Sequence, residues 1–472
     1  MKFPFLGDAY SARSANAAAE RTVNLYPEID PHNKHTIALY GTEGLLRKVT
    51  LASAPVRALF AFESVLYAAA GNKLYTINTS YVATERGTLS TGSGFVSMAT
   101  DGLNVIIVDG TAGYLYTIAS ATFATISDVD FPDASNVAAV QDGIFIVIEN
   151  DSQRFYISTT GSSWVGTDFA SAEGKPDNLV SMISDHRELW LFGENTTEVW
   201  QNTGNATFTF ERVSGAFIEH GCAAKGSVAK MDNTVFWLGK DDLGVGMVWR
   251  AAGYNPARIS THAIEYAISQ HTAAEIADAI AYTYQQQGHA FYVLTIGNET
   301  WVYDASTNMW HQRAYMVPAT GVLTRHRSNC YAFFNGKHVV GDYENGKIYE
   351  LDLSTYTDDG EEIKALRACR HVASDEKRVR HSSLQLIMES GTGLSGTGQG
   401  IDPQVMLRWS DDGGHTWSNE HWADLGAIGQ YRQRVIFRRL GASRDRIYEA
   451  SITDPVKRVF VGASLTANAG QS

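Results

Sequence analysis

The chain has 472 residues, a formal net charge of −13, 42 Gly, 10 Pro, and 20 Phe, 22 Tyr and 10 Trp. A hydrophobic fraction of 44% rich in aromatics excludes a disordered chain, and no uninterrupted apolar run reaches the ~18 residues of a membrane helix. DNA is gripped by Lys and Arg that neutralise phosphates, so an acidic balance argues against a DNA-holding protein but suits a surface past which DNA slides.

Residues 1–50 read as an extended N-terminal arm. The apolar start, Met1 to Leu6, is too short for a signal peptide and is soon interrupted by Asp8, so cytoplasmic synthesis is expected. Ser11 to Ala19 is rich in Ala and Ser, and Arg21-Thr22-Val23-Asn24-Leu25-Tyr26-Pro27-Glu28 adds apolar anchors without helix or hairpin periodicity. His32 and His35 are the closest histidine pair. Neither Cys nor a convincing third ligand accompanies them, so they read as loop residues and no metal is expected.

From 51 to 360 one unit recurs: an apolar alternating strand, a Gly/Asn/Asp turn, then a strand rich in Tyr, Trp or Val. The instances run Leu66 to Ile77, Val105 to Ile118, Ile144 to Ile157, Leu189 to Trp200, Val235 to Trp249, Phe291 to Tyr303 and Tyr331 to Leu351. Repeats about 35 to 55 residues apart hold three or four strands each, which indicates a β-propeller of six or seven blades. A pair of β-sandwiches with similar hairpins is the alternative. Between the repeats, 262–278 reads as a short helical insertion, because Thr272-Ala273-Ala274-Glu275 has capping-box form. Tyr303 to Trp310 resembles a kelch-type blade ending whose Trp packs between blades.

Residues 361–472 read as a C-terminal antiparallel sheet or sandwich, completing an all-β fold. Its strands are expected at Ser383 to Glu389, Gln404 to Trp409, Tyr431 to Arg439, Arg446 to Ser451 and Val459 to Leu465. Ser410, Asp412, Gly414, Thr416 and Trp417 fit the Asp-box pattern. This is a structural turn in which Ser and Asp satisfy backbone N–H groups and Trp packs beneath. Arg432, Arg434, Arg438, Arg439, Arg444 and Arg446 crowd the end of the chain. They read as guards on a solvated strand edge, as a patch docking onto an acidic neighbouring subunit, or as DNA contacts.

Motifs of enzyme chemistry fail on inspection. Gly391 to Gly396 satisfies G-x-G-x-x-G, yet the next residues, Thr397 to Pro403, cannot open a helix to hold a pyrophosphate. Gly341 to Lys347 matches G-x4-G-K, but Ile348 replaces the Mg²⁺-binding hydroxyl residue and Asn345-Gly346 reads as a hairpin turn. Cys222, Cys330 and Cys369 are odd in number and form no CxxC pair. Asp101, Asp109, Asp142 and Asp242 stand near strand ends, where they read as turn formers rather than the paired carboxylates of a glycosidase. No catalytic residue and no cofactor is expected.

The residues nevertheless carry a resemblance. Its parts are Arg21 to Glu28; Asp168 to Asp177; Phe210-Glu211-Arg212 with Gly215 to Cys222; Thr272 to Glu275 leading into Val302 to Ala305; and the Asp-box sheet with its arginine-rich end. In this order they resemble the tail hub, or nozzle, family of short-tailed bacteriophages, also called packaged-DNA stabilisation proteins. The resemblance implies a non-enzymatic virion protein of the tail, assembled in the host cytoplasm as a six-fold ring below the portal and its adaptor ring. It further implies contact with the tail needle and with tailspikes or fibres. DNA would pass the lumen without sequence-specific binding, and packaged DNA would be held until ejection. Contact with the host envelope is a further candidate role. The alternative is a carbohydrate-binding or glycoside-cleaving propeller, sialidase-like or a lectin, which would need a central pocket with carboxylates and arginines.

Overall fold

The computed structural model describes residues 2–470 apart from 32–35, 53, 161–162, 242–243 and 376. Seven blades surround one axis, at residues 56–88, 97–125, 138–171, 179–218, 221–258, 280–316 and 328–352. Six of them are complete in themselves. The innermost place in blade 5 is shared by Gly221–Cys222 and Ala229–Met231. Blade 7 supplies three strands, and its outermost strand is Gly44–Thr50, paired antiparallel with Lys347–Asp352. A strand from before blade 1 thus finishes blade 7 and closes the ring.

Each anticipated hairpin is the centre of a blade, and the packing explains why those segments are readable. In Asn104–Val108, Val105 and Ile107 pack toward blade 1, whereas Ile106 and Val108 pack toward blade 3. Both faces of a middle strand are therefore buried, at about 1.5–3 kcal/mol for each large aliphatic side chain. Every gap between neighbouring blades holds its own apolar cluster, including one between blades 7 and 1. Trp310 fills the gap between blades 5 and 6 beside Phe236 and Leu238, and its indole N–H donates to Ile259 O at 2.8 Å. Outer strands such as Thr122–Thr125 face solvent and lack this signature.

The helical insertion forms as two short helices, His262–Ser269 and Ala273–Ala277. The Thr272 capping box is complete, with Thr272 Oγ1 accepting from Glu275 N and Glu275 Oε2 accepting from Thr272 N.

The C-terminal unit is a sandwich of two sheets around Leu384, Leu386, Leu407, Tyr448 and Phe460. One sheet runs Leu25–Ile29, Ile37–Gly41, Val459–Ala469, Val379–Met388, Val435–Arg438; the other runs Ala365–Ala368, Ile447–Ile452, Gln404–Ser410, His421–Asp424. The first 50 residues are consequently not the extended, hairpin-free arm that the sequence suggests. Leu25–Ile29 and Ile37–Gly41 pair as a hairpin and join the sandwich, because their apolar residues find a core contributed from more than 300 positions away.

Candidate functional site

The arm is where the two halves meet. Ala19–Val23 pairs antiparallel with Ala365–Ala368 of the sandwich and touches the outer strand of blade 6 through Val23 and Gln312. One hydrogen-bonded sheet therefore runs from the propeller through the arm into the sandwich. Val23 packs with Ala314, Leu366 and Ile447 at this seam, Leu25 enters the sandwich core, and Tyr26 enters the gap between blades 6 and 7. Asn24 sits between them with a left-handed φ of 53°. Its Nδ2 donates to Ala314 O and Lys364 O, both at 2.9 Å, and its Oδ1 accepts from Ala314 N at 2.9 Å. Thr22 accepts from buried Arg367, whose other N–H groups donate to Phe5 O and Asp8 O. The Arg21 to Glu28 segment is thus a knot tying arm, blade and sandwich together.

Beside it lies a buried ion pair at the ring closure. Arg313 Nη2 donates to Glu43 Oε2 at 2.6 Å and to the Tyr284 hydroxyl, and both charged side chains are 1% exposed. Burial disfavours the guanidinium charge, yet the Glu43 carboxylate holds Arg313 above its ordinary pKa. Burying this pair costs desolvation that its Coulomb energy only partly offsets, and the contact links blade 6 to the residue just ahead of Gly44–Thr50.

The axis is bridged at one mouth. Phe95, leading into blade 2, reaches across to the 224–227 turn of blade 5 on the far side of the ring. A Cβ on Gly226 would lie 3.3 Å from the Phe95 ring and 3.1 Å from Ala279 O, so a larger residue would push these neighbours apart by a few tenths of an ångström. The same turn is bound to blade 6 by Ala281 N donating to Gly226 O at 2.7 Å, and to blade 4 by Ser181 Oγ donating to Lys225 O at 2.9 Å.

In the sandwich the Asp-box residues come together. Ser410 Oγ donates to Asp412 Oδ1 at 2.6 Å and accepts from Gly414 N at 2.7 Å; Asp412 accepts from Thr416 N and Oγ1. These donors hold the Asp412 carboxyl below the usual carboxylate range. Trp417 is half-buried with the Arg408 guanidinium stacked 4.6 Å from its ring centre.

The arginine cluster divides. Arg432, Arg434, Arg438, Arg439 and Arg444 are exposed, and Arg434 donates to Gln385 at 2.6 Å. Arg446 does not belong with them. It is 2% exposed, binds Asp411 through two N–H groups at 2.6 and 2.7 Å, donates to Leu440 O, and stacks on Trp409 and Tyr448. Its place as a surface docking residue is corrected: it is the inner brace of the Asp-box turn. Beside the exposed arginines stand Ile428 and Tyr431, 61% and 75% exposed.

The remaining candidates are engaged elsewhere. Asp101 accepts from the N–H groups of Leu103 and Asn104, and Asp109 from those of Thr91, Thr111 and Ala112, as turn formers do. Asp142 binds Asn202 and Arg187. Asp242, His32 and His35 lie outside the described residues. Gly391 to Gly396 lies in a loop, and Gly341 to Lys347 in a hairpin. Burial pushes the thiols of Cys222 and Cys369 up to about 11 and about 12, values that suit packing rather than nucleophilic attack.

The fold is thus a seven-bladed β-propeller stitched by one continuous sheet to a β-sandwich. The family described as "Bacteriophage P22 Gp10, beta-propeller" matches residues 1–356, and "Bacteriophage P22 Gp10, beta-sandwich" matches residues 365–468. This chain belongs to the bacteriophage P22 Gp10 family. It is 22% identical over 405 residues to the tail hub protein gp10 of Salmonella phage P22, covering 81% of this chain and 80% of that protein. Among solved structures it is similar to the N-terminal domain of Nup159, with a TM-score of 0.43, 11% identity, and 70% of this chain and 98% of that one covered. It is also similar to the computationally designed Ika8 protein, with a TM-score of 0.41, 12% identity, and 66% and 100% covered.

Proposed function

We propose that this chain is the structural hub, or nozzle, of a short phage tail. Copies of it form a ring below the portal and adaptor, continue the DNA channel, retain packaged DNA and pass it at ejection. The observation that carries this reading is the match of both family halves, in order, along nearly the whole chain.

Three physical features support it. Phe95 and the 224–227 turn bridge the propeller's own axis, so a conduit for duplex DNA has to be built between copies rather than through a blade ring. The net charge of −13 favours a lumen wall on which acids outnumber bases, along which the genome slides without counterion-driven adhesion. The exposed residues Arg432, Arg434, Arg438, Arg439 and Arg444, with Ile428 and Tyr431, have the composition of a docking face for an acidic neighbouring copy. Needle, spikes or fibres, and the host envelope are the further partners of this reading. A glycosidase reading is disfavoured because Asp101, Asp109 and Asp142 are held in turns and surface pairs.

The test is electron microscopy with light scattering of the purified chain, alone and mixed with portal and adaptor. A ring of about six copies that joins the portal–adaptor complex is expected. A permanent monomer indifferent to both partners overturns the proposal, as does an assembled ring whose lumen is mainly basic.

A further inference from the structure

At the bridged mouth of the propeller lies a cavity of about 270 Å³, lined by residues near the starts of blades 1, 2, 5, 6 and 7 and by Tyr343 of a blade 7 turn. Its charge is opposite to that of the whole molecule. Arg57, Lys225 and Arg325 line it, against a single carboxylate, Asp278, which is exposed.

The three cations have different duties. Arg57 is 5% exposed and engages all its donors on neutral acceptors: Gly71 O, Thr91 O and Oγ1, Ser93 O and Gly94 O, at 2.7 to 3.0 Å. It shapes the wall that carries Phe95 and lends charge; Asp109, behind Thr91, partly compensates it. Arg325 lies over the Tyr343 ring at 4.2 Å and gives one Nη2 N–H to Asn329 Oδ1 at 3.2 Å, with Asp342 beyond it. Its Nε is sealed from solvent without a hydrogen-bond partner among the described residues, and Nη1, which makes no hydrogen bond among them, is the donor left for the cavity. Lys225, whose backbone is fixed by Ser181, likewise has no ion-pair or hydrogen-bond partner for its ammonium among the described residues. Two cations with uncommitted donors therefore line the same cavity as the rings of Phe95 and Tyr343.

We infer that this axial cavity binds a small oxyanion, a carboxylate or phosphate carried on a single sugar-sized ring. The anion would accept from Lys225 Nζ and the Arg325 guanidinium while the ring lies against Phe95 and Tyr343. The volume lies just below the usual range of small-molecule sites, about 300–1,000 Å³, which leaves room for one ring and excludes a duplex. The two sources of such an anion are an acidic sugar of a surface polysaccharide and a phosphorylated sugar. The site does not depend on the tail assignment, since it rests on the chain's own side chains.

Titration calorimetry of the full chain with glucuronate, glucose 6-phosphate, inorganic phosphate and neutral glucose distinguishes the sources. Saturable binding of glucuronate supports the acidic sugar, and preference for glucose 6-phosphate and phosphate supports the phosphorylated one. In either case Lys225→Gln and Arg325→Gln should each weaken binding about tenfold or more, a loss of about 1.4 kcal/mol. Asp278→Asn should tighten it. Lys225→Gln is the decisive variant, because a side chain without partners is dispensable for folding. Failure of all three anions to bind in the millimolar range, binding of neutral glucose equal to that of the acids, or binding unchanged in both Gln variants overturns the inference.

Discussion

Asn24 offers the most direct test of how the two halves are held together. Replacing it by Gly keeps the φ of 53° accessible but deletes three hydrogen bonds of 2.9 Å. The N–H and C=O of Ala314 and the C=O of Lys364 lose those partners at a buried seam. At about 1 kcal/mol per bond, Asn24→Gly should cost about 3 kcal/mol. Asn24→Ala removes the same bonds and forces a Cβ into the left-handed region at about 1–2 kcal/mol, against about 0.4–1 kcal/mol recovered from a stiffer unfolded chain. Ala should therefore be worse than Gly by roughly 0.5–1 kcal/mol, the reverse of their usual order. Urea unfolding followed by Trp fluorescence reads the midpoints, and limited proteolysis of the 353–364 segment reads local opening. A Gly variant with the wild-type midpoint would refute the hydrogen-bond reasoning, and an Ala variant more stable than Gly would refute the backbone part.

Glu43→Ala should destabilise by about 3–5 kcal/mol, because Arg313 stays buried without its carboxylate, and Arg313→Met in the same chain should recover much of that loss; a double-mutant cycle in urea measures both. Arg446→Ala should lower stability by about 2–3 kcal/mol, whereas Arg432→Glu with Arg434→Glu should leave the unfolding midpoint unchanged and abolish ring assembly in light scattering. Asp358 is fully buried, and burial raises its pKa to about 7 despite the opposing pull of Arg458, Arg313 and Arg327. A folded-state value above the unfolded one, about 3.9, means that this carboxyl's contribution is complete in acid and is lost as pH rises to about 7. Asp358→Asn should therefore gain stability on the wild type between pH 4 and pH 7 and hold a constant margin above, and equal margins at pH 5 and pH 8 would contradict this.

The propeller is legible because its middle strands are buried on both faces. Val105 to Val108 reads as an unbroken apolar run for that reason, and every such run is the heart of a blade. The outer strands carry weaker signals: Thr122–Thr125 and Ala83–Thr88 are half polar, so they can be counted only by spacing. The arm misleads because its order comes from partners far along the chain. Leu25 and Leu39 look like isolated apolar residues until Val459–Ala469 lies beside them. The Asp-box is readable because it closes over few residues, whereas Arg446 cannot be separated from its exposed neighbours without knowing that Asp411 turns back onto it. The axial cavity leaves only faint marks. Arg57, Phe95, Lys225 and Arg325 are scattered over four blade starts, and no spacing rule in the sequence brings them to one axis.

The route of the arm also bears on assembly. A ring of identical copies closes only when each copy presents its two contact surfaces at one fixed angle, since a small error repeated around the ring yields an open spiral instead. Two domains joined by a plain linker would leave that angle free. Here it is set by backbone hydrogen bonds running from blade 6 through Ala19–Val23 into Ala365–Ala368, with Asn24 and Arg367 pinning both sides. Gly44–Thr50, about 20 residues further on and just after the Leu25–Ile29 and Ile37–Gly41 hairpin, then closes the propeller itself. The segment that completes the blades is thus continuous with the segment that orients the sandwich. In the proposed ring, a subunit whose propeller has not closed would not present a correctly placed sandwich, so assembly competence would follow complete folding of the chain.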